Sequence, residues 1–218
     1  MNRETRKAKF LEVDIYPVTC ERLSAGRSNL EVLHAIIEGG ARVIQLREKE
    51  YSGKDLYQLA LQFREITSRA GVLLLINDHL DIAMAVAADG VHLGQDDLPL
   101  EKVRKLAGGE MFIGLSTHSP AQAEAAVRLG VDYIGVGPIF ATNTKKDVCD
   151  PVGLEYLDYV VRNIRLPFVA IGGIKEHNIA EVYRRGARCI ALVTEIVGAP
   201  DIGVKVHALR AAIGSASL

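Results

Sequence analysis

The sequence predicts an α/β protein folded as a single (βα)8 TIM barrel, and three observations carry this prediction. Amphipathic helical patterns alternate with short apolar runs along the chain, as in parallel α/β folds. Many of these runs end in polar residues suited to phosphate or metal chemistry, which parallel strands would gather at one end of a barrel. Glycines also stand between helical patterns and the next apolar run, as helix C-caps do. These glycines are Gly40, Gly71, Gly90, Gly130 and Gly186.

Each barrel unit can be placed on the sequence. Strands are expected at residues 15–19, 42–46, 72–76, 90–93, 111–115, 133–136, 168–171 and 189–193. Helices are expected at residues 29–38, 52–70, 80–88, 100–106, 120–129, 153–163, 175–185 and 203–213. Eight alternating units favour a closed barrel over an open sheet. The longest connector, residues 137–152, lacks apolar periodicity and is expected to be a mobile functional loop over the barrel mouth.

Composition limits the class of protein. The chain has 218 residues, of which 49% are hydrophobic, which is enough for one domain with a large core. We assign residues 13–218 to the barrel domain and residues 1–12 to a poorly ordered N-terminal tail. A net charge of -1 without a long basic block argues against a nucleic-acid partner. No apolar stretch approaches the roughly 20 residues of a membrane span, so we expect a cytoplasmic protein with no membrane partner.

The second strand ends in a cationic motif. Gln45, Arg47 and Lys49 alternate with other residues and should therefore project from one face of the strand. If that face is the barrel interior, a planar guanidinium, an ammonium group and an amide point into the mouth and suit a polyphosphate. The alternative is a solvated basic strand end paired with Glu48.

Two carboxylates follow the next two strands. Asp78 closes the third strand and Asp97 follows the fourth, and neighbouring strands lie about 5 Å apart, so both can reach one ion. Hard oxygen ligands favour Mg²⁺ completed by waters and substrate phosphate oxygens. The alternative for each aspartate is helix capping.

A second group of donors follows the later strands. The turn Gly172-Gly173, with Thr194 after the eighth strand, matches the phosphate position that barrels often build from their last two loops. Hydroxyl and ammonium donors come from the fifth and sixth strand ends: Ser116, Thr142, Thr144 and Lys145. The sequence thus predicts two anion sites, one assisted by Mg²⁺ on the early strands and a smaller one on the late strands.

The remaining reactive residue types do not form a catalytic pattern. The three cysteines are far apart and odd in number, which favours reduced thiols over a disulfide framework or a zinc site. The six histidines are scattered, and His92 is expected to pack on its strand. His79 and His118 are expected to be polar lining of the mouth.

Seven short motifs occur in order along the chain. They are Gln45-Leu46-Arg47-Glu48-Lys49, Asn77-Asp78, Gly94-Gln95-Asp96-Asp97, Gly114-Leu115-Ser116, Gly137-Pro138-Ile139-Phe140, Thr142-Asn143-Thr144-Lys145-Lys146-Asp147 and Ile171-Gly172-Gly173-Ile174. From about Tyr16 to the C-terminal helix, this ordered set resembles the thiamine phosphate synthase family. The resemblance implies a cytoplasmic transferase of thiamine biosynthesis. That enzyme joins 4-amino-5-hydroxymethyl-2-methylpyrimidine diphosphate to 4-methyl-5-hydroxyethylthiazole phosphate and releases diphosphate.

The resemblance also implies a role for each matching residue. The pyrimidine diphosphate would be held by Gln45, Leu46, Arg47, Glu48, Lys49, Asn77, Ser116 and Lys145. The thiazole phosphate would be held by Thr142, Asn143, Thr144, Gly173, Val193 and Thr194. Asp78 and Asp97 would bind Mg²⁺, and the catalytic cations would be Arg47, Lys49 and Lys145. Four residues depart from the usual family pattern: Cys20, His79, Ala141 and Thr194.

Rival functions share this barrel. One is a thiazole tautomerase-like isomerase, which needs neither diphosphate nor Mg²⁺, and the combined cations and carboxylates argue against it. A second is a non-catalytic ligand-binding barrel that has kept the pocket. A third, a phosphosugar isomerase or epimerase, lacks an evident acid/base pair. The expected partners are small-molecule substrates, and a homo-oligomer is compatible with the sequence.

Overall fold

The structure, a computed structural model, describes residues 1–142, 144 and 149–215. The strands in these residues are β1 (Ile15–Pro17), β2 (Val43–Leu46), β3 (Leu73–Asn77), β4 (Gly90–Leu93), β5 (Phe112–Thr117), β6 (Tyr133–Val136), β7 (Phe168–Ala170) and β8 (Cys189–Leu192). The α-helices are α1 (Arg3–Leu11), α2 (Asn29–Glu38), α3 (Gly53–Ala70), α4 (Leu80–Ala85), α5 (Leu100–Ala107), α6 (Pro120–Leu129), α7 (Gly153–Asn163), α8 (Ile179–Arg184), α9 (Thr194–Val197) and α10 (Ile202–Gly214). A short 3-10 helix, η1, covers Glu21–Leu23.

The eight parallel strands form a (βα)8 TIM barrel, which confirms the predicted fold. Strands pair in the order β1-β8-β7-β6-β5-β4-β3-β2. The barrel closes between β1 and β2 through a parallel bridge from Val18 to Gln45. Just beyond it, the Thr19 backbone N–H donates to the Gln45 carbonyl at 3.0 Å. All strands run in one direction, so their carboxyl ends form a single rim.

The hydrophobic residues divide into an outer and an inner core. Along β2, Ile44 and Leu46 pack in the outer layer between sheet and helices, whereas Val43 packs inside the barrel. This alternation is the two-residue period of a strand. The inner core consists of Phe10, Val13, Tyr16, Val18, Val43, Leu73, Leu75, Phe112, Tyr133, Val169, Cys189 and Ala191.

The N-terminal segment differs from its prediction. Residues 1–12 were expected to be a poorly ordered tail, but Arg3–Leu11 form helix α1, capped by the Asn2 side chain. Phe10 is only 2% exposed and belongs to the inner core. The guanidinium groups of Arg3 and Arg6 pair with the buried carboxylates of Asp132 and Asp89. The structure therefore corrects the prediction. The helix was missed because nine residues with one buried aromatic give too weak an apolar signal to be recognised in the sequence.

The other boundaries agree with prediction to within a few residues. Helix α8 begins at Ile179 rather than residue 175. Residues 176–178 form a turn before it, in which the Lys175 backbone N–H donates to the Asn178 side chain at 2.7 Å. Gly90 is a strand residue rather than a helix cap, and a Cβ on it would lie 2.2 Å from the Phe112 carbonyl oxygen. Among the described residues, we find no helix whose length and apolar character would allow it to cross a bilayer.

Candidate active site at the carboxyl rim

Two cationic residues follow the end of β2 at the carboxyl rim. Arg47 is 8% exposed, and its backbone N–H donates to the Thr19 hydroxyl at 2.9 Å. Its guanidinium Nε is buried and has no hydrogen-bond partner among the described residues. The Lys49 ammonium is half-exposed and pairs with the Asp78 carboxylate. A buried guanidinium donor with no partner in the described part of the chain is a physical reason to expect an anionic ligand beside Arg47.

Two carboxylates meet on the neighbouring strands. β3 and β4 pair so that Asn77 lies beside His92, which brings the residues after both strands together. Asp78 adopts a left-handed backbone conformation with φ of 62°, and its carboxyl group contacts that of Asp97. The Asp97 carboxylate also accepts from the Gly94 backbone N–H at 2.7 Å. Burial, followed by the nearby Asp78 charge, raises the pKa of the Asp97 carboxyl above its usual value.

This pair fits a hard divalent cation. Two carboxylates in contact repel one another unless a proton or a cation lies between them. No group of three or more His, Cys, Asp or Glu side chains in the described part of the chain is arranged to hold a metal ion. A cation held by Asp78 and Asp97 would therefore complete its coordination with water and ligand oxygens, as Mg²⁺ commonly does.

Polar side chains of the barrel interior reach the same rim. The Gln45 amide nitrogen donates to the Tyr16 hydroxyl at 2.8 Å inside the barrel. Asn77 is 8% exposed at the end of β3. The Ser116 hydroxyl on β5 lies 2.9 Å from the His92 ring Nε2. Gln45 and Ser116 thus border the same polar interior. In the sequence, only the family resemblance assigned these two residues to one ligand.

A second cluster lies at the ends of β7 and β8. Gly172 and Gly173 have φ of 97° and 63°, and a Cβ on Gly173 would lie 2.6 Å from the Ala141 carbonyl oxygen. The turn therefore requires glycine. The Lys175 ammonium donates to the Thr194 hydroxyl at 3.3 Å and pairs with Glu195 at 3.2 Å. The turn, a hydroxyl and an ammonium group thus lie at neighbouring strand ends, and donors of these kinds can bind a single phosphate.

The structure brings most predicted site residues to the rim, but not all of them. Thr142 and Thr144 contact each other through hydroxyls 3.0 Å apart, and Val193 directly precedes helix α9. The Leu46 side chain packs in the outer core, away from the mouth. The Glu48 carboxylate accepts from the Glu21 backbone N–H at 3.0 Å. The predicted residues Asn143 and Lys145 lie outside the residues that the structure describes.

Two features of the site were not found in the sequence. Lys175 was assigned to a helix, and its position two residues after Gly172-Gly173 was the available signal. His92 was expected only to pack on its strand, yet both of its ring nitrogens contact hydroxyl groups, those of Tyr133 and Ser116. The alternation of β4 would place His92 inside the barrel, but nothing in the sequence shows which hydroxyls it meets.

Comparisons with known proteins identify the family of this chain. The sequence model of a family described as thiamine monophosphate synthase matches residues 15–196. The thiamine-phosphate synthase of Pelotomaculum thermopropionicum is 66% identical over 98% of both chains. That of Lawsonia intracellularis is 53% identical over 93% of this chain and 94% of its own. A solved thiamine phosphate pyrophosphorylase from Pyrococcus furiosus superposes with a TM-score of 0.86 at 33% identity, covering 96% of this chain and 98% of its own. The chain therefore belongs to the thiamine monophosphate synthase family and, as a homologue of these synthases, is an enzyme of the transferase class.

Proposed function

We propose that this protein is a thiamine-phosphate synthase that uses Mg²⁺. It would join 4-amino-5-hydroxymethyl-2-methylpyrimidine diphosphate to 4-methyl-5-hydroxyethylthiazole phosphate, releasing diphosphate. The observation that carries the proposal is the contact between the Asp78 and Asp97 carboxyl groups beside the Lys49 ammonium, which follows the same strand end as Arg47. A diphosphate, with its metal ion, matches this combination of positive and negative groups better than a single phosphate does.

The layout of the rim supports two substrates. The early group follows β2 to β5, and the group with Gly173, Lys175 and Thr194 follows β7 and β8. In an eight-stranded barrel, β3 and β4 stand opposite β7 and β8. Two substrates with their anionic groups bound at these positions would face each other across the mouth. The reacting carbon of the pyrimidine substrate and the thiazole nitrogen would then lie between the two anion sites.

The protein's part in the reaction is electrostatic. The bond to the leaving diphosphate breaks at a benzylic-type carbon on an electron-rich aminopyrimidine, and the thiazole nitrogen then bonds to that carbon. Negative charge grows on the diphosphate as it departs, and Arg47, Lys49 and Lys145 would stabilise it with preorganised positive charge. No protein nucleophile is needed, because the thiazole nitrogen is the nucleophile.

Asp78 and Asp97 would hold the cation. When bound, Mg²⁺ supplies Lewis-acid stabilisation of the diphosphate oxygens. Lys49 pairs with Asp78, so it would also limit the excess negative charge of the carboxylate pair. The buried Nε of Arg47 would gain the partner that it lacks among the described residues.

The function is tested by coupling the two purified substrates. We expect thiamine phosphate and diphosphate to form in equal amounts with Mg²⁺ and product formation to stop when a chelator removes the metal. Chromatography of both products, with each substrate omitted in turn, measures this. Diphosphate release without thiamine phosphate would indicate a hydrolase, and a chelator-resistant rate would refute the metal requirement.

A change at Thr194 distinguishes the two proposed anion sites, because Thr194 belongs only to the site after β7 and β8. We expect Thr194→Ala to raise KM for the thiazole phosphate several-fold and to change KM for the pyrimidine diphosphate little, because it deletes a donor from the late site alone. Steady-state kinetics with each substrate varied in turn measures this.

The matched control is Thr194→Ser, which keeps the hydroxyl. Kinetics close to wild type are expected for it. If Thr194→Ala instead raised KM mainly for the pyrimidine diphosphate, the two sites would be exchanged.

A further inference from the structure

Five side chains form a continuous hydrogen-bonded chain through the barrel interior. The Gln45 amide nitrogen is 2.8 Å from the Tyr16 hydroxyl, which is 2.9 Å from the Tyr133 hydroxyl. The Tyr133 hydroxyl is 2.8 Å from His92 Nδ1, and His92 Nε2 is 2.9 Å from the Ser116 hydroxyl. The five residues come from β2, β1, β6, β4 and β5. We call this set the interior chain.

The backbone around the interior chain is built to admit it. A Cβ on Gly114 would lie 2.1 Å from the Tyr133 ring, and one on Gly135 would lie 3.3 Å from the His92 ring. Gly114 therefore provides the space in which Tyr133 crosses the barrel. Phe112 stacks on the Tyr133 ring with centroids 5.4 Å apart. The rings are fixed by packing, so their polar atoms have little freedom to find other partners.

The Gln45 amide donor and the burial of both tyrosine hydroxyls together determine the direction of the hydrogen bonds. Tyr16 and Tyr133 are 2% and 0% exposed, and burial raises the pKa of both hydroxyls, so both remain neutral. The Gln45 amide nitrogen can only donate. Each buried hydroxyl proton needs an acceptor, so Tyr16 donates to Tyr133, and Tyr133 donates to His92 Nδ1. The reverse direction would leave the Tyr16 proton without an acceptor within the interior chain.

The same reasoning assigns the remaining protons. Because His92 Nδ1 accepts, a neutral ring carries its proton on Nε2 and donates it to the Ser116 hydroxyl oxygen. The Ser116 hydroxyl proton is then directed away from the interior chain. At the other end, the Gln45 amide is fixed with its nitrogen toward Tyr16.

We propose that Tyr16, Tyr133 and His92 are positioning residues that hold Ser116 as a hydrogen-bond donor, and Gln45 in one amide orientation, toward an aminopyrimidine ring. This rests on the proposed function. An aminopyrimidine combines donor and acceptor groups at its edge, so a fixed orientation at both ends would select that edge over isosteres with a different pattern. The interior chain moves no net charge and takes no part in bond breaking.

The first test is a double-mutant cycle in the assay of thiamine phosphate formation. Tyr133→Phe keeps the ring and removes the hydroxyl. We expect it to lower kcat/KM for the pyrimidine diphosphate about 10-fold in the wild-type background and less than about 2-fold in Ser116→Ala, because coupled residues do not add. Equal effects in both backgrounds would overturn the proposal.

Tyr156→Phe is the matched control. The Tyr156 hydroxyl is also buried and donates to Thr117 at 2.7 Å, but it lies outside the interior chain. Removal of this hydroxyl should leave the rate close to wild type. A decrease in kcat/KM as large as that of Tyr133→Phe would mean that any buried tyrosine hydroxyl has this effect, and it would overturn the proposal. If Tyr133→Phe does not fold, Tyr16→Phe breaks the neighbouring bond and takes its place in the same cycle.

The second test does not depend on catalysis. In ligand-free protein labelled with ¹⁵N-histidine, we expect His92 to show a protonated Nε2 and an unprotonated Nδ1, with its signal assigned by its loss in His92→Asn. A proton on Nδ1 would reverse the interior chain and overturn the proposal. If the wild-type protein made no thiamine phosphate, the proposed function would fail, while this measurement would still decide the direction of the interior chain.

Discussion

Asp97→Asn is expected to lower the rate at limiting Mg²⁺ by about 100-fold or more, the size of effect seen when one electrostatic contact to a developing charge is lost. The amide oxygen of asparagine can still accept from the Gly94 backbone N–H, which the carboxylate does at 2.7 Å. The loop hydrogen bond therefore survives, and the change removes mainly the charge. Initial rates across a Mg²⁺ titration, together with the affinity for Mg²⁺ in the presence of diphosphate, measure the effect.

The neighbouring Asp96 supplies the matched control. It is exposed, so Asp96→Asn removes one formal charge from the same loop without touching the carboxylate pair, and its rate should stay close to wild type. Asp78→Asn should resemble Asp97→Asn, but it is less clean, since it also breaks the ion pair with Lys49. In the structure neither aspartate caps the following helix, because the N-caps of α4 and α5 are His79 and Pro99. If Asp97→Asn retained the wild-type rate at limiting Mg²⁺, the metal site would be refuted, and Asp97 would keep only its structural role as acceptor of the Gly94 backbone N–H.

Strands and helices were predictable because the hydrophobic periodicity and the glycines between elements indicate similar boundaries along this chain. The strand residues 133–136 and the helix residues 120–129 were predicted with the boundaries that β6 and α6 have. Gly130 ends α6 in a left-handed conformation, as its position between two patterns indicates. Gly90 occupies a similar place in the sequence but lies within β4, where it admits the close approach of β5. One sequence signal thus has two physical origins that only packing distinguishes.

The candidate site was predictable in part, for a related reason. Parallel strands place their carboxyl ends on one rim, so residues such as Asp78 and Asp97 could be brought together from strand order alone. Side-chain partners depend on which residues meet inside the barrel. Tyr16 and Tyr133 are 117 residues apart, yet their hydroxyls are 2.9 Å apart. No periodicity encodes such a contact, and the interior chain was therefore not foreseen.

Helix α1 provides the largest expected effect on stability. Phe10 lies 4.5 Å from the Tyr133 ring and 5.0 Å from the Phe112 ring, measured between ring centroids. It thus packs against the aromatic residues that hold the interior chain. Truncating a buried phenylalanine to alanine typically costs about 3–5 kcal/mol, the sum of lost burial and a residual cavity.

We therefore expect Phe10→Ala to lower Tm by about 10 °C, given the usual scaling for a chain of this size. Leu11 lies next to it on the same helix but is 64% exposed, so Leu11→Ala should change Tm by about 2 °C or less. Scanning calorimetry of both variants at one protein concentration measures the difference. Equal shifts would mean that α1 does not pack under the barrel in solution, and the interpretation of residues 1–12 as a poorly ordered tail would return. An unequal shift as large as expected would instead make α1 an integral part of the barrel, because a tail that is not packed has no apolar contact to lose.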